Sequence, residues 1–503
     1  MKLDLLLQSL RDDGELLEIP EVDRADVQIE DLSYHSRRVK PGDLFLCIPG
    51  EVTDGHLFAQ EAVSRGARAL LVERFVTVDP PVPQMVVPDA RRAAAVMADA
   101  FFGHPTGRMT LVGVTGTSGK TTTAHLVRHV LGAGGTGVGL VGTIGNIVGG
   151  CRMETKLTTP EAVDLQRLFG QMLDAGDCAA VMEVSSHSLM LDRVRRCAFN
   201  VGVFTNIAPE HLDFHGDMET YLAAKARLFG MLTDEGLDRG VPMAVINVDD
   251  PRAAEIERRS TARVLTFGLD AGQVTACDIE MAPDASVFSL QLPPGNRRRV
   301  RLQLPGRFNI YNALAAAAVG HSLGMGIEDI ADALSEASPV PGRYEVVSGP
   351  DDDITVIVDF AHTPDELENL LEAVQRVAGG RVIAVFGAGG DRDRTKRPVM
   401  GSVVERLADY LIVTSDNPRS EDPQAITCDI LGGIEDRSIC EVQVDRREAV
   451  LRAVEIARTN DTVVLAGKGH ETTQVLADQA IHFDDKLEAQ RALKLRQQKR
   501  GGG

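Results

Sequence analysis

No apolar run in this sequence of 503 residues approaches the ~20 residues that a bilayer-crossing helix requires. The N-terminal stretch MKLDLLLQSLRDDGELLEIP has a brief apolar segment followed by acids. It lacks the basic start and long apolar centre of a secretory signal, and the Arg/Ser bias of a transit peptide. Cysteine is scattered: Cys47, Cys151, Cys178, Cys197, Cys277, Cys428 and Cys440 are odd in number and never fall as C-x-x-C. That pattern fits neither a disulfide framework nor a zinc site. These absences predict a cytoplasmic, reducing setting and no membrane insertion. Basic residues are in deficit too, 53 against 73 acidic, for a formal charge of -20. The overall field therefore repels nucleic acid and anionic membrane surfaces, and a polyanionic ligand must be met by a locally basic site.

What is present is enough apolar material, 44% of residues, to bury several cores, so the length predicts three domains. From residue 1 to 105 the β-like runs DLFLCIPG, RALLVE and QMVVPD alternate with the helical patterns HLFAQEAVSRGA and ARRAAAVMADAFF, a small α/β unit that ends in the punctuation FFGHPTGR. From 106 to 338 the runs LVGVTG, VGLVGT, AAVMEVSS, VGVFTN and MAVINVDD alternate with helix-length segments, predicting a doubly wound parallel sheet. A local β insertion (VTACDIEMAP, SVFSLQLPPG, RRRVRLQLPG) and a long buried helix (NIYNALAAAAVGHSLG) follow, before the Pro-rich SPVPGR. From 339 to 503 the rhythm returns in ITVIVDFAH, RVIAVFGAGG, YLIVTSDNPR and TVVLAGKGHE, a second, Rossmann-like domain closed by the helix DDKLEAQRALKL. Gly-rich turns after the strands of the second and third domains predict a ligand cleft between them. The terminal GGG carries no fold information.

The strongest motif is LVGVTGTSGKTTTAHL, where an apolar strand runs into Gly116-Thr117-Ser118-Gly119-Lys120-Thr121-Thr122 and a helix begins. Glycines let backbone N–H groups close around phosphate, Lys120 adds a point charge, and the Thr121 hydroxyl can ligate Mg²⁺ beside the positive helix end. The arrangement predicts nucleoside triphosphate binding. The common form of this loop has glycine five positions before Gly119, where this chain has Val114.

The variant T-G-T-x-G-K-T-T resembles the loop of the Mur ligases and of folylpolyglutamate synthetases. EVSSHSLMLDRV, TNIAPEHLDFHGDMETYLAAKARLF, DFAHTPDELENLL and FGAGGDRDRTKRP extend the resemblance to the Mur ligase family, and with HSRRVKPGDLF it covers nearly the whole chain. The resemblance implies an ATP-dependent ligase: ATP phosphorylates a substrate carboxylate, and an amine attacks the acyl phosphate. Such chemistry needs electrostatic stabilisation and no enzyme nucleophile.

Carried over by motif, the resemblance gives Lys120 and Thr121 the phosphates and one Mg²⁺, makes Glu183 and His211 further metal ligands, and matches Lys225 to the family's carbamylated lysine. A plain ammonium would repel Mg²⁺, whereas a carbamate offers anionic oxygens. Read singly, Glu183 is equally a capping or paired carboxylate, His211 a core histidine and Lys225 a solvated lysine. Asn309, Arg343 and Asp359 match ATP-contacting positions, although Arg343 also reads as a linker arginine in an interdomain ion pair. Ser36, Thr158, Thr159, Ser185 and Arg193 match contacts to a UDP-linked dipeptide, UDP-N-acetylmuramoyl-L-alanyl-D-glutamate. Thr159-Pro160 reads equally well as a helix N-cap with proline in the first turn.

For the amino acid, Asp416-Asn417-Pro418-Arg419 is the family sequence associated with meso-2,6-diaminopimelate; Arg392, Gly467 and Glu471 complete that pocket by the same resemblance. Diaminopimelate differs from lysine by a second carboxylate at the far end, which Arg419 can grip bidentately while Asp416 takes the neighbouring ammonium. Lysine would leave a fully desolvated Arg419 unpaired, at a cost of roughly 3 to 5 kcal/mol. The same residues also read as a turn before the helix EDPQAITCDIL. His35, Leu191 and Thr472 depart from the family pattern, which usually has Asp, Gln and an acid there. A lysine-adding or folylpolyglutamate-forming relative, and a Mur-like protein without activity, stand as alternatives. The expected partners are small molecules, and the expected state is a monomer.

Overall fold

A computed structural model describes residues 1–16, 27–50, 53–155, 157–237, 241–282 and 284–501. Residues 17–20 of the N-terminal stretch read above, Pro283 at the end of the VTACDIEMAP run, and the terminal Gly502 and Gly503 lie outside them. The chain is mixed α/β, built on two large sheets and three smaller ones.

The first sheet has four parallel strands, Leu32–Ser33, Leu44–Leu46, Ala69–Val72 and Gln84–Val86. The apolar start of the sequence folds as the helix Leu3–Asp12, and its i, i+3, i+4, i+7 stripe of Leu3, Leu6, Leu7 and Leu10 is buried. That stripe packs with the helix Ala90–Phe101 over Leu44, Leu46, Ala69 and Leu71. Asp89 caps the latter helix, accepting from the backbone N–H of Arg91 and Arg92.

The central sheet runs in the order Arg263–Phe267, Met243–Asn247, Val201–Phe204, Thr110–Thr115, Asp177–Glu183, Gly137–Val141, Asn146–Val148, Cys151–Met153. The first six are parallel and the last two form an antiparallel edge hairpin. Thr110–Thr115 lies in the middle, flanked by strands that come later in the chain. Its C-terminal end is thus a topological switch point, where open sheets of this kind leave a crevice. The β insertion is an antiparallel meander, Thr275–Ala282, Ala285–Leu292 and Asn296–Leu302. Phe288, Leu290, Val300 and Leu302 seal one face of it against the alanine-rich helix Arg307–Ser322.

The other large sheet, the third sheet for its place along the chain after the four-stranded and central ones, orders Glu345–Val346, Thr355–Asp359, Thr462–Ala466, Val382–Phe386, Tyr410–Val413 and Cys440–Val442, parallel except for the first. A small hairpin, Thr473–Val475 with Ala480–His482, follows its GKGHE turn. Polar pairs join the first unit to the second: Tyr34 donates to Asp164, Arg91 to Glu161 at 2.9 Å, and Arg167 to Asp31 at 2.9 Å. Arg343, just before the third sheet, donates to Thr121 Oγ1 of the phosphate loop at 3.3 Å.

Candidate active site

The glycine-rich loop leaves the central strand at Gly116 and enters the helix Lys120–Gly132 at Gly119, both at positive φ, 152° and 83°. Close approach as well as conformation demands glycine. A Cβ on Gly116 would overlap the Thr205 hydroxyl, and one on Gly119 would lie 2.6 Å from Asn312 Oδ1. Lys120 folds back over the loop, donating to the carbonyls of Gly116 at 3.0 Å and Thr117 at 2.7 Å. The Thr121 hydroxyl donates to Glu183 Oε2 at 2.9 Å, and Glu183 also accepts from the Thr143 N–H at 2.8 Å and hydroxyl at 3.0 Å. Glu183 is therefore a paired carboxylate at its strand's C-terminal end, beside the loop.

Lys225 is 1% exposed, so it is not a solvated helix lysine. Its ammonium donates to Gly116 O at 2.6 Å and lies over the Tyr221 ring. Burial, with repulsion from Lys120, pulls its pKa well below the ordinary lysine value, against the pull of Glu210. His211 is not a core histidine either: its side chain is 46% exposed, it sits at φ 55°, and its Nε2 lies 3.7 Å from Glu210. It packs edge-on against His187, which stacks on Phe214 and touches His215. Burial, then the two neighbouring histidines, lowers the His187 pKa to about 4.

Lys120, Thr121, Thr143, Glu183, His211 and Lys225 line one cavity of about 790 Å³ between the central and third sheets. Of the residues singled out from sequence it takes in Thr117 to Thr122, Thr158, Glu183, Ser185, His211, Lys225, Arg343 and Asp359. Arg343 stacks on Phe360 with its guanidinium 4.5 Å from the ring centroid, and no carboxylate pairs with it among the described residues. Asp359 accepts from the N–H groups of Tyr344 and Ala361, and burial raises its pKa against the opposing charge of Arg343. Asn309 lies one layer back. It donates to Pro305 O at 2.7 Å and accepts from Asn312, and Asn312 is the one that reaches the cavity. Glu210, Tyr221, Phe360, His362 and Glu366 line it as well. Their signal in the sequence is only adjacency, in PEHLDFH, METYLAAKA and DFAHTPDE.

Of the residues matched to the UDP-dipeptide, Thr158, Thr159, Ser185 and Arg193 are neighbours, with Arg193 donating to Thr159 O at 3.3 Å and the Thr159 hydroxyl to Ser185 Oγ at 3.4 Å, while Ser36 lies in the first unit. Thr158 and Ser185 face the cavity, but Ser36 donates to Glu61 at 2.8 Å, and Arg193 pairs with Glu161 at 2.9 Å. Thr159 is not a helix cap: its hydroxyl donates to Glu183 O at 2.8 Å, and the helix starts later, at Ala162, after Glu161. Of the departures, His35 packs on Tyr34, Leu191 ends a short helix, and Thr472 is exposed.

The amino-acid residues cluster past the C-terminal ends of three strands of the third sheet, Val382–Phe386, Tyr410–Val413 and Thr462–Ala466. Asn417 donates to Glu471 Oε2 at 2.7 Å, Arg419 sits at φ 53° and donates to Gly390 O at 2.6 Å, and Arg392 donates only to Asp391 O. Gly467 is required beneath Asp416, whose Oδ2 would lie 2.5 Å from a Cβ there. Neither Arg392 nor Arg419 has a carboxylate partner within ion-pair distance among the described residues. Burial, with repulsion from Arg392, lowers the Arg419 pKa. Arg419 is only half-buried, so the full desolvation expected from sequence does not hold, and an unpaired Arg419 costs nearer ~1–3 kcal/mol.

Three family models match the chain: "Mur ligase family, catalytic domain" over residues 28–102, "Mur ligase middle domain" over 114–320, and "Mur ligase, glutamate ligase domain" over 342–469. A UDP-N-acetylmuramoyl-L-alanyl-D-glutamate--2,6-diaminopimelate ligase of Geobacillus thermodenitrificans is 46% identical over 467 residues, 92% of this chain and 95% of that one. The Bacillus cereus protein of the same name is 43% identical over 494 residues, 98% of each. A solved structure of a ligase with that name, 31% identical, covers 96% of this chain and 98% of its own with a TM-score of 0.66. The ADP complex of MurF from Thermotoga maritima shares the fold at 19% identity, with a TM-score of 0.65 over 94% of this chain and 99% of that one. With these matches spanning nearly the whole chain, it belongs to the Mur ligase family.

Proposed function

We propose that this chain is an ATP-dependent ligase joining meso-2,6-diaminopimelate to UDP-N-acetylmuramoyl-L-alanyl-D-glutamate through an acyl phosphate, in cytoplasmic peptidoglycan precursor synthesis, and that it works as a monomer. The observation carrying this reading is the amino-acid pocket of a chain whose relatives bear that name. Two guanidinium groups there, Arg392 and Arg419, lack carboxylate partners among the described residues, beside the carboxylates Asp416 and Glu471. A ligand end carrying one carboxylate and one ammonium answers both signs; lysine answers one.

The chemistry follows from the charges. A carboxylate oxygen of the dipeptide attacks the γ-phosphorus and ADP leaves. The amine of diaminopimelate then attacks the acyl carbon, the tetrahedral intermediate expels phosphate, and the nitrogen loses a proton. Every stage develops negative charge on oxygen, so fixed cations and N–H donors do the catalytic work. Lys120, freed from its own loop carbonyls, and Arg343, reaching across to Thr121, are placed for the phosphates.

Mg²⁺ suits the oxygens of Thr121 and Glu183, which lie 2.9 Å apart. No three His, Cys, Asp or Glu side chains gather into a ready metal cage among the described residues. An ion there would complete its shell with phosphate oxygens and water, and would supply charge neutralisation. Lys225 suits carbamylation. Burial favours its neutral amine, the form that adds CO₂ with loss of a proton, and the resulting carbamate would stand with His211 as a further ligand.

The test is phosphate release and product mass with ATP, Mg²⁺ and the UDP-dipeptide, offering meso-diaminopimelate or L-lysine in parallel. Tripeptide formed only with diaminopimelate is the expected result. Lysine turnover at equal efficiency overturns the substrate, and no turnover with either overturns the activity.

A further inference from the structure

We infer that Lys468 is a positioning residue that shapes the amino-acid pocket and sets its preference for diaminopimelate over lysine; this rests on the reading above. Lys468 lies in the turn after the strand Thr462–Ala466, and its side chain is 0% exposed. It is therefore sealed from any ligand and can act only through its neighbours. An ammonium has three donors, and all three are used: Asn417 Oδ1 at 3.2 Å, Glu471 Oε2 at 3.0 Å and Thr473 O at 2.7 Å.

The consequence for Asn417 is a fixed amide orientation. Its Oδ1 accepts from Lys468 and from the Val475 N–H at 2.9 Å, so its Nδ2 must face Glu471, to which it donates at 2.7 Å. Lys468 and Asn417 converge on the same oxygen of Glu471. Its Oε1 accepts no hydrogen bond among the described residues, and the side chain is 33% exposed. One oxygen is thus anchored and the other presented. The hairpin strand Thr473–Val475 completes the frame: Val475 O accepts from the Arg419 N–H at 3.0 Å, and Gln474 donates to Asp416 O at 2.7 Å. The turn holding Asp416 to Arg419 is clamped by the segment that Lys468 holds.

Charge gives the selectivity. With Lys468 in place, one oxygen of Glu471 is held in an ion pair and the pocket keeps a cationic side, Arg392 and Arg419, for a second carboxylate. Without it, Glu471 loses that counter-charge and its anchor, which favours a ligand whose far end is only an ammonium. Buried groups behind a binding site commonly change affinity about 10- to 100-fold when removed.

The test compares the full-length wild type with Lys468→Met and Lys468→Arg. Wild-type turnover with diaminopimelate comes first; if it is absent, the functional reading itself fails, independently of Lys468. Given turnover, Lys468→Met is expected to raise KM for diaminopimelate about thirtyfold or more and cut discrimination against lysine about tenfold. KM for ATP is expected to stay within about threefold. Lys468→Arg keeps the charge but cannot meet three convergent acceptors, and is expected to raise the diaminopimelate KM about tenfold; it carries the test if the Met variant does not fold. A variant that folds and keeps both the diaminopimelate KM and the discrimination within twofold of wild type overturns the proposal. So does a uniform loss in kcat with all KM values unchanged, which marks a merely structural lysine.

Discussion

The two ends of the site solve the same electrostatic problem in opposite ways. At the phosphate loop the charges are turned inward: Lys120 and Lys225 both donate to the Gly116 carbonyl. Those bonds hold both side chains against their own loop, where a ligand competes for their donors. In the amino-acid pocket the network is complete before a ligand arrives. Asn417, Lys468 and Glu471 satisfy one another; among the described residues one oxygen of Glu471 accepts no hydrogen bond, and Arg392 and Arg419 donate only to backbone carbonyls. The difference teaches where binding energy goes. A triphosphate is charged enough to reorganise its loop, whereas distinguishing two similar amino acids requires a pocket that does not yield.

Removing the central cation of each end breaks the comparison most visibly. Lys120→Ala is expected to lower kcat about a thousandfold or more, because charge develops on the phosphoryl oxygens in the transition state. Single-turnover phosphate release checks it, and a loss under tenfold would mean that Lys120 stays on its loop carbonyls throughout. Arg419→Ala is expected to act on one substrate only. It should raise the diaminopimelate KM about 5- to 150-fold, in line with the ~1–3 kcal/mol of a half-buried guanidinium, and leave the ATP KM alone. Initial-rate measurements with each substrate varied in turn separate the two; a matching rise in the ATP KM would show that the two ends are not independent.

Lys225 tests whether the inward-turned end is held there by chemistry yet to occur. Its lowered pKa keeps the amine neutral to a lower pH than an ordinary lysine, so carbamylation is expected near neutrality. Labelled bicarbonate should give a carbamate carbonyl signal by NMR that is missing in Lys225→Met. The variant is expected to lose about a hundredfold in rate while still folding, since methionine suits a buried site. A wild type fully active after exhaustive CO₂ removal would count against the carbamate.

How much of this was readable beforehand follows the same division. The phosphate loop is contiguous, so Gly116 to Thr122 announced both its geometry and its ligand, and the strands that form the switch point stood out as apolar runs. The strand Arg263–Phe267 did not, because at the sheet's edge its burial alternates, and an alternating pattern of five residues is a weak signal. The N-terminal leucines read as a short apolar run, although their spacing is that of the helix they form. In the amino-acid pocket the residues came from the family resemblance. Their supports did not, because Lys468, Gln474 and the small hairpin act through bonds between segments some fifty residues apart, which no local pattern encodes. Thr159 shows the opposite failure: a plausible local cap whose hydroxyl is claimed by the neighbouring strand.

The smallest expected effect concerns what braces the rigid end. Glu421, just past Arg419, accepts two bonds from the buried Arg397 at 2.8 and 2.9 Å, and one from the Asp391 N–H at 2.6 Å. It thereby ties the turn carrying Arg419 to the loop carrying Arg392. The hydrogen bonds from Arg397, first of all, hold its carboxyl at about 2, below the ordinary 4.5. A folded-state pKa lowered in this way contributes stability that is fully present above about 4.5 and is lost as the pH falls through about 2. Glu421→Gln should therefore cost ~1–2 kcal/mol at neutral pH, because Arg397 keeps Asp429 at 2.8 Å as a second partner. The gap between variant and wild type should shrink as the pH drops across that window. Thermal melting at a series of pH values measures it, and a gap that stays constant down to the lower limit would show that the brace is not ionic. Because the phosphate loop shares none of these bonds, the ATP KM of the variant should match wild type while that for diaminopimelate rises a few-fold. A rise in both would mean that the rigid pocket and the yielding loop are coupled through Arg343 and the third sheet.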